Sequence, residues 1–270
     1  MITYYLKYLF KSHNRHGLHS PFIYNLSEKV LNKRVNTSEI AIVKQYRNYL
    51  KHEKFELTVD DLGSGSHVMN GNRRRIKDIY ATSSTNRRMG EILHQIIQSY
   101  QCKNILEMGT SLGVGTAYIQ NALKLEEKGQ ITTIEGSKEL HDFTRSQFDH
   151  FFPNHKINFV RGGFDTVLPK LLETLPPIDL AFVDGNHTYA ATLHYFNLLT
   201  TNIHNESIII FDDIHWSNEM KLAWQEIKQH PSVRCSIDLF RWGILFFREE
   251  MRKEDFTIRF DGFLQAHISK

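Results

Sequence analysis

The chain is poor in cysteine and has no long apolar run. Its 270 residues include only two cysteines, Cys102 and Cys235, which lie far apart and lack the spacing of metal ligands. This pattern excludes a disulfide framework and a cysteine-based metal site. No apolar run approaches the roughly 20 residues of a membrane-spanning helix, and the N-terminus has no small-residue cleavage site after an apolar core. We therefore predict a cytoplasmic protein without a membrane span.

The net charge of +3 is unevenly distributed along the chain. Residues 1–100 contain 16 Lys and Arg against 8 Asp and Glu, whereas residues 101–270 contain 17 against 22. A basic front part can face nucleic acid, an anionic substrate or a membrane surface. Because the basic residues are spread over several predicted helices, the sequence favours solvated helix faces instead. The tightest cluster is Arg73–Arg75 with Lys77, followed by Arg87 and Arg88.

The first 100 residues are predicted to be mainly helical. Helices are expected over 2–11, from Pro21 after an N-cap at Ser20, and over 37–52, 73–80 and 85–100. The segment 57–66, rich in glycine and serine, is interpreted as a turn between helices.

Three histidines recur at every third position near the N-terminus: His13, His16 and His19. Three such side chains could bind zinc, but Gly17 and Pro21 would break the helix that aligns them. A turn that covers the substrate is therefore the favoured interpretation.

From residue 104 onward, strands and helices alternate. Strands are predicted near 104–108, 130–135, 157–161, 178–184, 206–212, 232–238 and 242–247, with helices near 115–126, 138–151, 165–174, 189–200 and 217–229. The last two strands are joined so tightly at Phe240 and Arg241 that they must be antiparallel. The predicted fold is α/β, with a Rossmann-like, seven-stranded, mostly parallel sheet, an antiparallel last strand and an N-terminal helical extension.

A glycine-rich loop follows the first of these strands. The segment NILEMGTSLGVGT, residues 104–116, joins a short apolar strand to a helix, as nucleotide-cofactor cradles do. A dinucleotide fingerprint would need a third glycine where Tyr118 stands, which weakens a nicotinamide dehydrogenase. Glu135 lies 20 residues past Gly115 and is placed to accept hydrogen bonds from ribose hydroxyls. The candidate cofactor-binding residues here are Glu107, Gly109, Thr110, Ser111, Gly113, Gly115, Glu135 and Gly136.

Carboxylates follow the fourth and fifth predicted strands of the sheet. Asp184 ends one apolar run, and Asp212 and Asp213 end the next. Three hard oxygen ligands that converge at one sheet edge suit Mg²⁺, although acids there can also cap helices or pair with a basic residue. His187 is the candidate general base because an imidazole can take a proton from a hydroxyl near neutral pH. Capping of the following helix is its alternative role.

These motifs together resemble the class I S-adenosylmethionine-dependent methyltransferases. The pattern ExGxxxGxG from Glu107 to Gly115 is similar to their motif I, and DGNH at 184–187 with the later acid pair resembles small-molecule O-methyltransferases of the macrocin and, more distantly, the catechol type. The resemblance covers about residues 85–248. It implies a methyltransferase domain at 85–270, preceded by a helical extension or cap at 1–84.

The resemblance also implies ligands and roles. S-adenosylmethionine is the expected cofactor, with Mg²⁺ held by Asp184, Asp212 and Asp213, and His187 and Asp184 as catalytic residues. Gly163 and Phe164 are expected to border the adenine, Asp184 to contact the cofactor, and the segment 83–85 to close over its methionine end. The expected reaction is methyl transfer to a hydroxyl of a small molecule, in a chain that could form a homodimer.

Two alternatives remain at this stage. One is a nucleic-acid methyltransferase that uses the basic front part, which is disfavoured because DGNH stands where an NPPY-like tetrad for a flipped base would be. The other is a non-catalytic protein that retains the cofactor-binding fold.

Overall fold

The N-terminal part of the protein is mainly helical. A computed structural model describes residues 2–13, 20–59, 73–125 and 129–260. Its first elements are α1 (Ile2–Lys11), α2 (Pro21–Leu26) with a π-helical turn at Ser27–Leu31, α3 (Ala41–His52), β1 (Glu56–Thr58), β2 (Arg73–Arg75), α4 (Ile76–Ser83) and α5 (Arg87–Tyr100). The predicted helices at 2–11, after Ser20 and over 85–100 are confirmed within a few residues. Residues 14–19, which include His16 and His19, lie outside the described ranges, as does most of the predicted turn at 57–66.

The prediction of helix from residue 73 was wrong for the first three positions. Arg73–Arg75 form β2, which pairs antiparallel with β1, so that Leu57 lies opposite Arg74. Helix α4 begins only at Ile76, where an apolar face starts to be buried. Strand pairing with a partner distant in sequence therefore overrides the helical pattern at these arginines.

An eight-stranded sheet forms the centre of the protein. Its strands are β3 (Asn104–Met108), β4 (Gln130–Glu135), β5 (Ile157–Arg161), β6 (Ile178–Val183), β7 (Ile203–Phe211), β8 (Cys235–Asp238), β9 (Gly243–Phe246) and β10 (Glu254–Thr257). Their order is β10-β8-β9-β7-β6-β3-β4-β5. Strand β9 is antiparallel to both β7 and β8, and the other pairs in the sheet are parallel.

The predicted α/β fold is thus confirmed, and so is the antiparallel direction of the last predicted strand, which is β9. The predicted number of strands, seven, was one too low. The additional strand, β10, is four residues long and pairs with β8 at the edge of the sheet. Short, charged edge strands lack the apolar alternation by which strands are predicted.

Helices cover both faces of the sheet. They are α6 (Val114–Leu125), α7 (Lys138–Phe151), α8 (Phe164–Leu172), α9 (Tyr189–Leu199) and α10 (Asn218–Gln229), close to the predicted ranges. Neighbouring strand residues alternate between two buried clusters: Ile105 packs with residues of α5 and α6, whereas Leu106 packs with residues of α9 and α10. Because helices cover both faces of the sheet, only the ends of its strands are left open to a ligand. None of the helices in the described ranges has the length and apolar content to cross a membrane.

The N-terminal helices pack into the same clusters as the sheet. Ile23 and Leu26 of α2 join the cluster around Ile105, and Tyr46 of α3 lies fully buried beside Phe148 of α7. The hydroxyl of Tyr46 donates a 2.7 Å hydrogen bond to the carbonyl oxygen of Leu112 in the glycine-rich loop. The boundary predicted between residues 84 and 85 stays a prediction.

Replacing Tyr46 with phenylalanine is expected to lower the free energy of unfolding by about 1–2 kcal/mol, because it leaves the buried Leu112 carbonyl without this donor. Urea denaturation measures the change. Tyr24→Phe is the matched control, since Tyr24 is 47% exposed. Equal unfolding free energies for the two variants would contradict the anchoring of the loop by α3.

Candidate functional site

The glycine-rich loop begins where β3 ends and is held by its neighbours. Gly109 has φ +105 and Gly113 has φ +67, both in the region that favours glycine. The amides of Gly109 and Thr110 donate to the Ile134 carbonyl at 3.0 and 3.2 Å. A Cβ on Gly109 would lie 2.0 Å from the carbonyl oxygen of Asp184. Sequence and geometry therefore agree that the loop needs glycine at these turns.

Glu107 lies under the loop and is almost completely buried. Its Oε2 accepts hydrogen bonds from the hydroxyls of Thr116 at 2.5 Å and Thr133 at 2.7 Å. A Cβ on Gly115 would lie 2.7 Å from Oε1, so the first turn of α6 is close against the carboxyl group. Burial raises the pKa of Glu107 to about 7, although the two hydroxyls oppose the shift.

We expect Glu107 to make the folded protein less stable as the pH rises from about 4.5 to about 7. Over that interval the folded protein keeps the proton of this carboxyl group and the unfolded chain does not. The linked change is on the order of 3 kcal/mol. The unfolding free energy of Glu107→Gln, measured against that of wild type by urea denaturation, should therefore rise by about this amount between about pH 5 and pH 8. A difference that does not change with pH would contradict it.

Glu135 stands beside the loop at the end of β4. The amide of Ser111 donates to its Oε2 at 2.8 Å, and the amide of Ser137 donates to its Oε1 at 2.9 Å. Burial raises the pKa of Glu135, and the amides of Ser137, Ser111 and Gly136 oppose that shift. The carboxylate is thus fixed in one orientation, and its remaining lone pairs can accept two neighbouring ligand hydroxyls.

A cavity connects the loop with the end of β6. It is lined by Ser83, Ser84, Thr85, Glu107, Gly109, Thr110, Ser111, Leu112, Val114, Gly115, Phe182 and Asp184. The segment 83–85 therefore lies beside the loop, and its contact with the methionine end of a cofactor stays a prediction. The hydroxyl of Ser84 is buried and has no hydrogen-bond partner among the described residues, so it is available to a polar ligand. Phe182 was not predicted as a site residue because it reads as part of a buried strand.

Several predicted cofactor contacts do not line this cavity. Gly113, Glu135, Gly136, Gly163 and Phe164 are in this group. Phe164 packs edge-on against Tyr195 with ring centroids 5.6 Å apart, and a Cβ on Gly185 would lie 2.8 Å from its ring. Gly163 caps the start of α8. Their contact with adenine stays a prediction.

Two of the three aspartates that follow β6 and β7 contact an arginine. Arg241 donates from Nε to Oδ1 of Asp212 at 2.9 Å and from Nη2 to Oδ2 at 3.1 Å. Its Nε also lies 3.4 Å from Oδ1 of Asp213. Asp212 is 2% exposed, so this is a buried bidentate ion pair. Burial and the neighbouring carboxylates raise the pKa of Asp184, and Asp212 chiefly raises that of Arg241.

The predicted set of metal ligands, Asp184, Asp212 and Asp213, does not fit a divalent cation. Both oxygens of Asp212 accept from Arg241, and Oδ1 also accepts from the amide of Asp213 at 2.7 Å. In the part of the chain that the structure describes, no three His, Cys, Asp or Glu side chains are placed to hold a metal ion. The alternative, that an acid of this group pairs with a basic residue, is the one observed for Asp212.

His187 lies next to Asp184 at the same edge of the sheet. Its Nε2 is 3.6 Å from Oδ1 of Asp184, and its side chain is 19% exposed. Thr188, not His187, caps α9, since its hydroxyl accepts from the amide of Ala191 at 3.4 Å. The capping alternative for His187 is therefore excluded, and the imidazole is free to act on a ligand.

The remaining candidates are less central. Trp216 is 50% exposed near Asp213, which fits a wall of the substrate side better than a core position. The amide of His13 donates to the carbonyl of Thr257, the last residue of β10, at 2.8 Å. Arg87 and Arg88 both pair with the buried carboxylate of Glu91, at 2.8 and 3.2 Å.

Residues 106–214 match the family model described as a methyltransferase domain. The match covers about two fifths of the chain. It runs from β3 through the glycine-rich loop, Asp184 and the Asp212–Asp213 pair. The predicted resemblance to class I methyltransferases is confirmed.

Relatives of the methyltransferase domain include named O-methyltransferases. Caffeoyl-CoA O-methyltransferase of Populus kitakamiensis is 26% identical over 129 residues, which cover 47% of this chain and 53% of that protein. Catechol O-methyltransferase of Niastella koreensis is 29% identical over 98 residues, covering 36% of this chain and 43% of that protein. The chain thus spans about half the length of the curated relatives it matches.

Solved structures share the fold. An O-methyltransferase from Bacillus cereus in complex with S-adenosylhomocysteine superimposes with a TM-score of 0.55 and 16% identity, covering 83% of this chain and 97% of that one. The O-methyltransferase TomG from Streptomyces achromogenes, in complex with S-adenosylmethionine, gives a TM-score of 0.52 and 17% identity, covering 61% and 82%.

Proposed function

We propose that the protein is an S-adenosylmethionine-dependent O-methyltransferase that acts on a hydroxyl group of a small molecule. The observation that carries this proposal is the position of Asp184, which lines the cavity under the glycine-rich loop and also faces His187. Asp184 thus lies between the cavity proposed for the cofactor and the histidine proposed to act on the acceptor. The Bacillus structure holds S-adenosylhomocysteine, the product of the methyl donor, and the Streptomyces structure holds S-adenosylmethionine. The two relatives are named for hydroxylated acceptors, caffeoyl-CoA and catechol. Both findings support the same assignment.

Each part of the site has a role in this reaction. The glycine-rich loop and Ser84 bind the donor, and Glu135 accepts hydrogen bonds from its ribose. Bound there, the donor supplies an electrophilic methyl group on a sulfonium sulfur. The acceptor oxygen forms a bond to the methyl carbon as the carbon–sulfur bond breaks, and S-adenosylhomocysteine leaves.

His187 takes the proton of the acceptor hydroxyl. Its Nδ1 is the accepting atom, because Nε2 faces Asp184 at 3.6 Å. The carboxylate of Asp184 stabilises the imidazolium that forms. We assign no step to a metal ion, since Asp212 is committed to Arg241.

A nucleic-acid acceptor is less consistent with the charges of the front part. Arg34 and Arg88, like Arg87, lie within ion-pair distance of Glu91, at 3.4 and 3.2 Å. Arg88 is also buried, at 6% exposed, so its charge is not available to a phosphate group.

The experiment is methyl transfer from radiolabelled S-adenosylmethionine to catechol, to caffeoyl-CoA and to total RNA. We expect label in an O-methylated small molecule, and none in RNA. Label confined to RNA would overturn the proposal in favour of a nucleic-acid enzyme. Mass spectrometry of the labelled product identifies the methylated oxygen.

A further inference from the structure

Arg241 occupies the centre of the acidic group at the acceptor side. It lies in the turn between β8 and β9, where its amide donates to the Leu239 carbonyl at 2.9 Å and its carbonyl accepts from the amide of Ile214 at 3.2 Å. These contacts tie the turn to the segment that follows β7. The guanidinium is therefore held in place from both its backbone and its Asp212 contacts.

One amino group of Arg241 remains available. Nε and Nη2 bind Asp212, whereas Nη1 has no hydrogen-bond partner among the described residues. The side chain is 31% exposed, although the carboxylate that it binds is buried. A fixed cation with a free N–H donor at a partly open position is suited to an oxygen ligand that carries or develops negative charge.

A cation at this position also opposes a metal ion. Mg²⁺ would need carboxylate oxygens that Asp212 has already given to Arg241, and its charge would lie close to the guanidinium. Without Asp212, only the carboxylates of Asp184 and Asp213 remain, and among the described residues no group of three side chains is placed to hold a metal ion.

We propose that Arg241 takes the place of a divalent cation in this site, so that methyl transfer proceeds without a metal and Nη1 binds the acceptor oxygen. The inference rests on the proposed function for the identity of the acceptor. In the step itself, the carbon–oxygen bond forms, the carbon–sulfur bond of the donor breaks, and the hydroxyl proton goes to His187. Arg241 stabilises the oxygen as it loses that proton and is unchanged by the reaction.

The test is a titration with Mn²⁺. Binding is measured by electron paramagnetic resonance, in which the signal of the free ion decreases as the ion binds. Mn²⁺ is the probe because it prefers the same oxygen ligands as Mg²⁺. Wild type saturated with S-adenosylhomocysteine should leave millimolar Mn²⁺ free. Arg241→Ala and Arg241→Gln should bind one Mn²⁺ per chain at least tenfold more tightly, because both variants remove the positive charge that is paired with Asp212. Arg145→Ala, which removes an exposed arginine on α7, should behave as wild type.

Two outcomes would overturn the inference. One is stoichiometric Mn²⁺ binding by wild type that is lost in Asp184→Asn. The other is failure of both Arg241 variants to bind Mn²⁺ although they still bind S-adenosylhomocysteine. Arg241→Gln keeps a neutral donor to Asp212 and is included because Arg241→Ala can fail to fold; the wild-type titration decides the question without either variant.

The contact with the acceptor has its own readout. In the transfer assay, Arg241→Gln should raise KM for the acceptor at least tenfold and leave KM for S-adenosylmethionine unchanged, and a chelator should not slow wild type. An unchanged acceptor KM would overturn that contact. Calorimetry with S-adenosylhomocysteine on the same samples separates this inference from the proposed function. If wild type does not bind S-adenosylhomocysteine, the proposed function fails, whereas the Mn²⁺ titration still tests the role of Arg241.

Discussion

Replacing Gly109 with alanine is expected to abolish cofactor binding and to destabilise the protein by about 3 kcal/mol or more. The added Cβ would lie 2.0 Å from the backbone oxygen of Asp184, at a φ of +105 that side-chain-bearing residues rarely adopt. The loop and the end of β6 would have to separate. Because the cavity is bounded by these two segments, the donor would lose its binding surface on both sides.

Calorimetry with S-adenosylhomocysteine and urea denaturation measure the two effects of Gly109→Ala. Gly163→Ala is the stability control, because no atom outside Gly163 and its two chain neighbours lies within 4 Å of the added Cβ. Its unfolding free energy should stay within about 1 kcal/mol of wild type. A Gly109→Ala variant that binds S-adenosylhomocysteine as wild type does would contradict the assignment of this loop to the cofactor.

Replacing His187 with alanine is expected to lower kcat by about 10²–10⁴-fold, the usual contribution of a general base. Binding of S-adenosylhomocysteine should be unchanged, because His187 does not line the loop cavity. The imidazole lies 3.6 Å from Asp184 and has no part in capping α9, so its loss should affect proton transfer and not the fold.

The rate is measured with the acceptor that the transfer assay identifies, under saturating donor. His150→Ala, at an exposed position of α7, is the matched control and should retain full activity. Full activity of His187→Ala would exclude His187 as the base.

The central sheet could be predicted from the sequence because its strands are apolar runs that end abruptly. Two-sided burial makes most of β3, most of β6 and the second half of β7 apolar, and the acids that follow β6 and β7 mark where these two strands end. The glycine spacing from Gly109 to Gly115 is equally readable, since the turn tolerates no Cβ at Gly109. Glu107 and Glu135 follow from their places at strand ends.

Pairing between distant residues could not be predicted. Arg241 is one arginine among many in the sequence, and only the β8–β9 turn brings it onto Asp212, 29 residues earlier. Strand β2 depends likewise on β1, and β10 depends on an open edge of β8. In each case the contact joins residues that are distant in sequence, and no local pattern of residues indicates it.

The most direct test of the account is isothermal titration of the wild-type protein with S-adenosylhomocysteine. The glycine-rich loop, the oriented carboxylate of Glu135 and the unpaired hydroxyl of Ser84 predict one binding site per chain, lost in Gly109→Ala and retained in His187→Ala. No heat of binding to folded wild type at millimolar S-adenosylhomocysteine would contradict the central claim that this edge of the sheet holds a methyl donor.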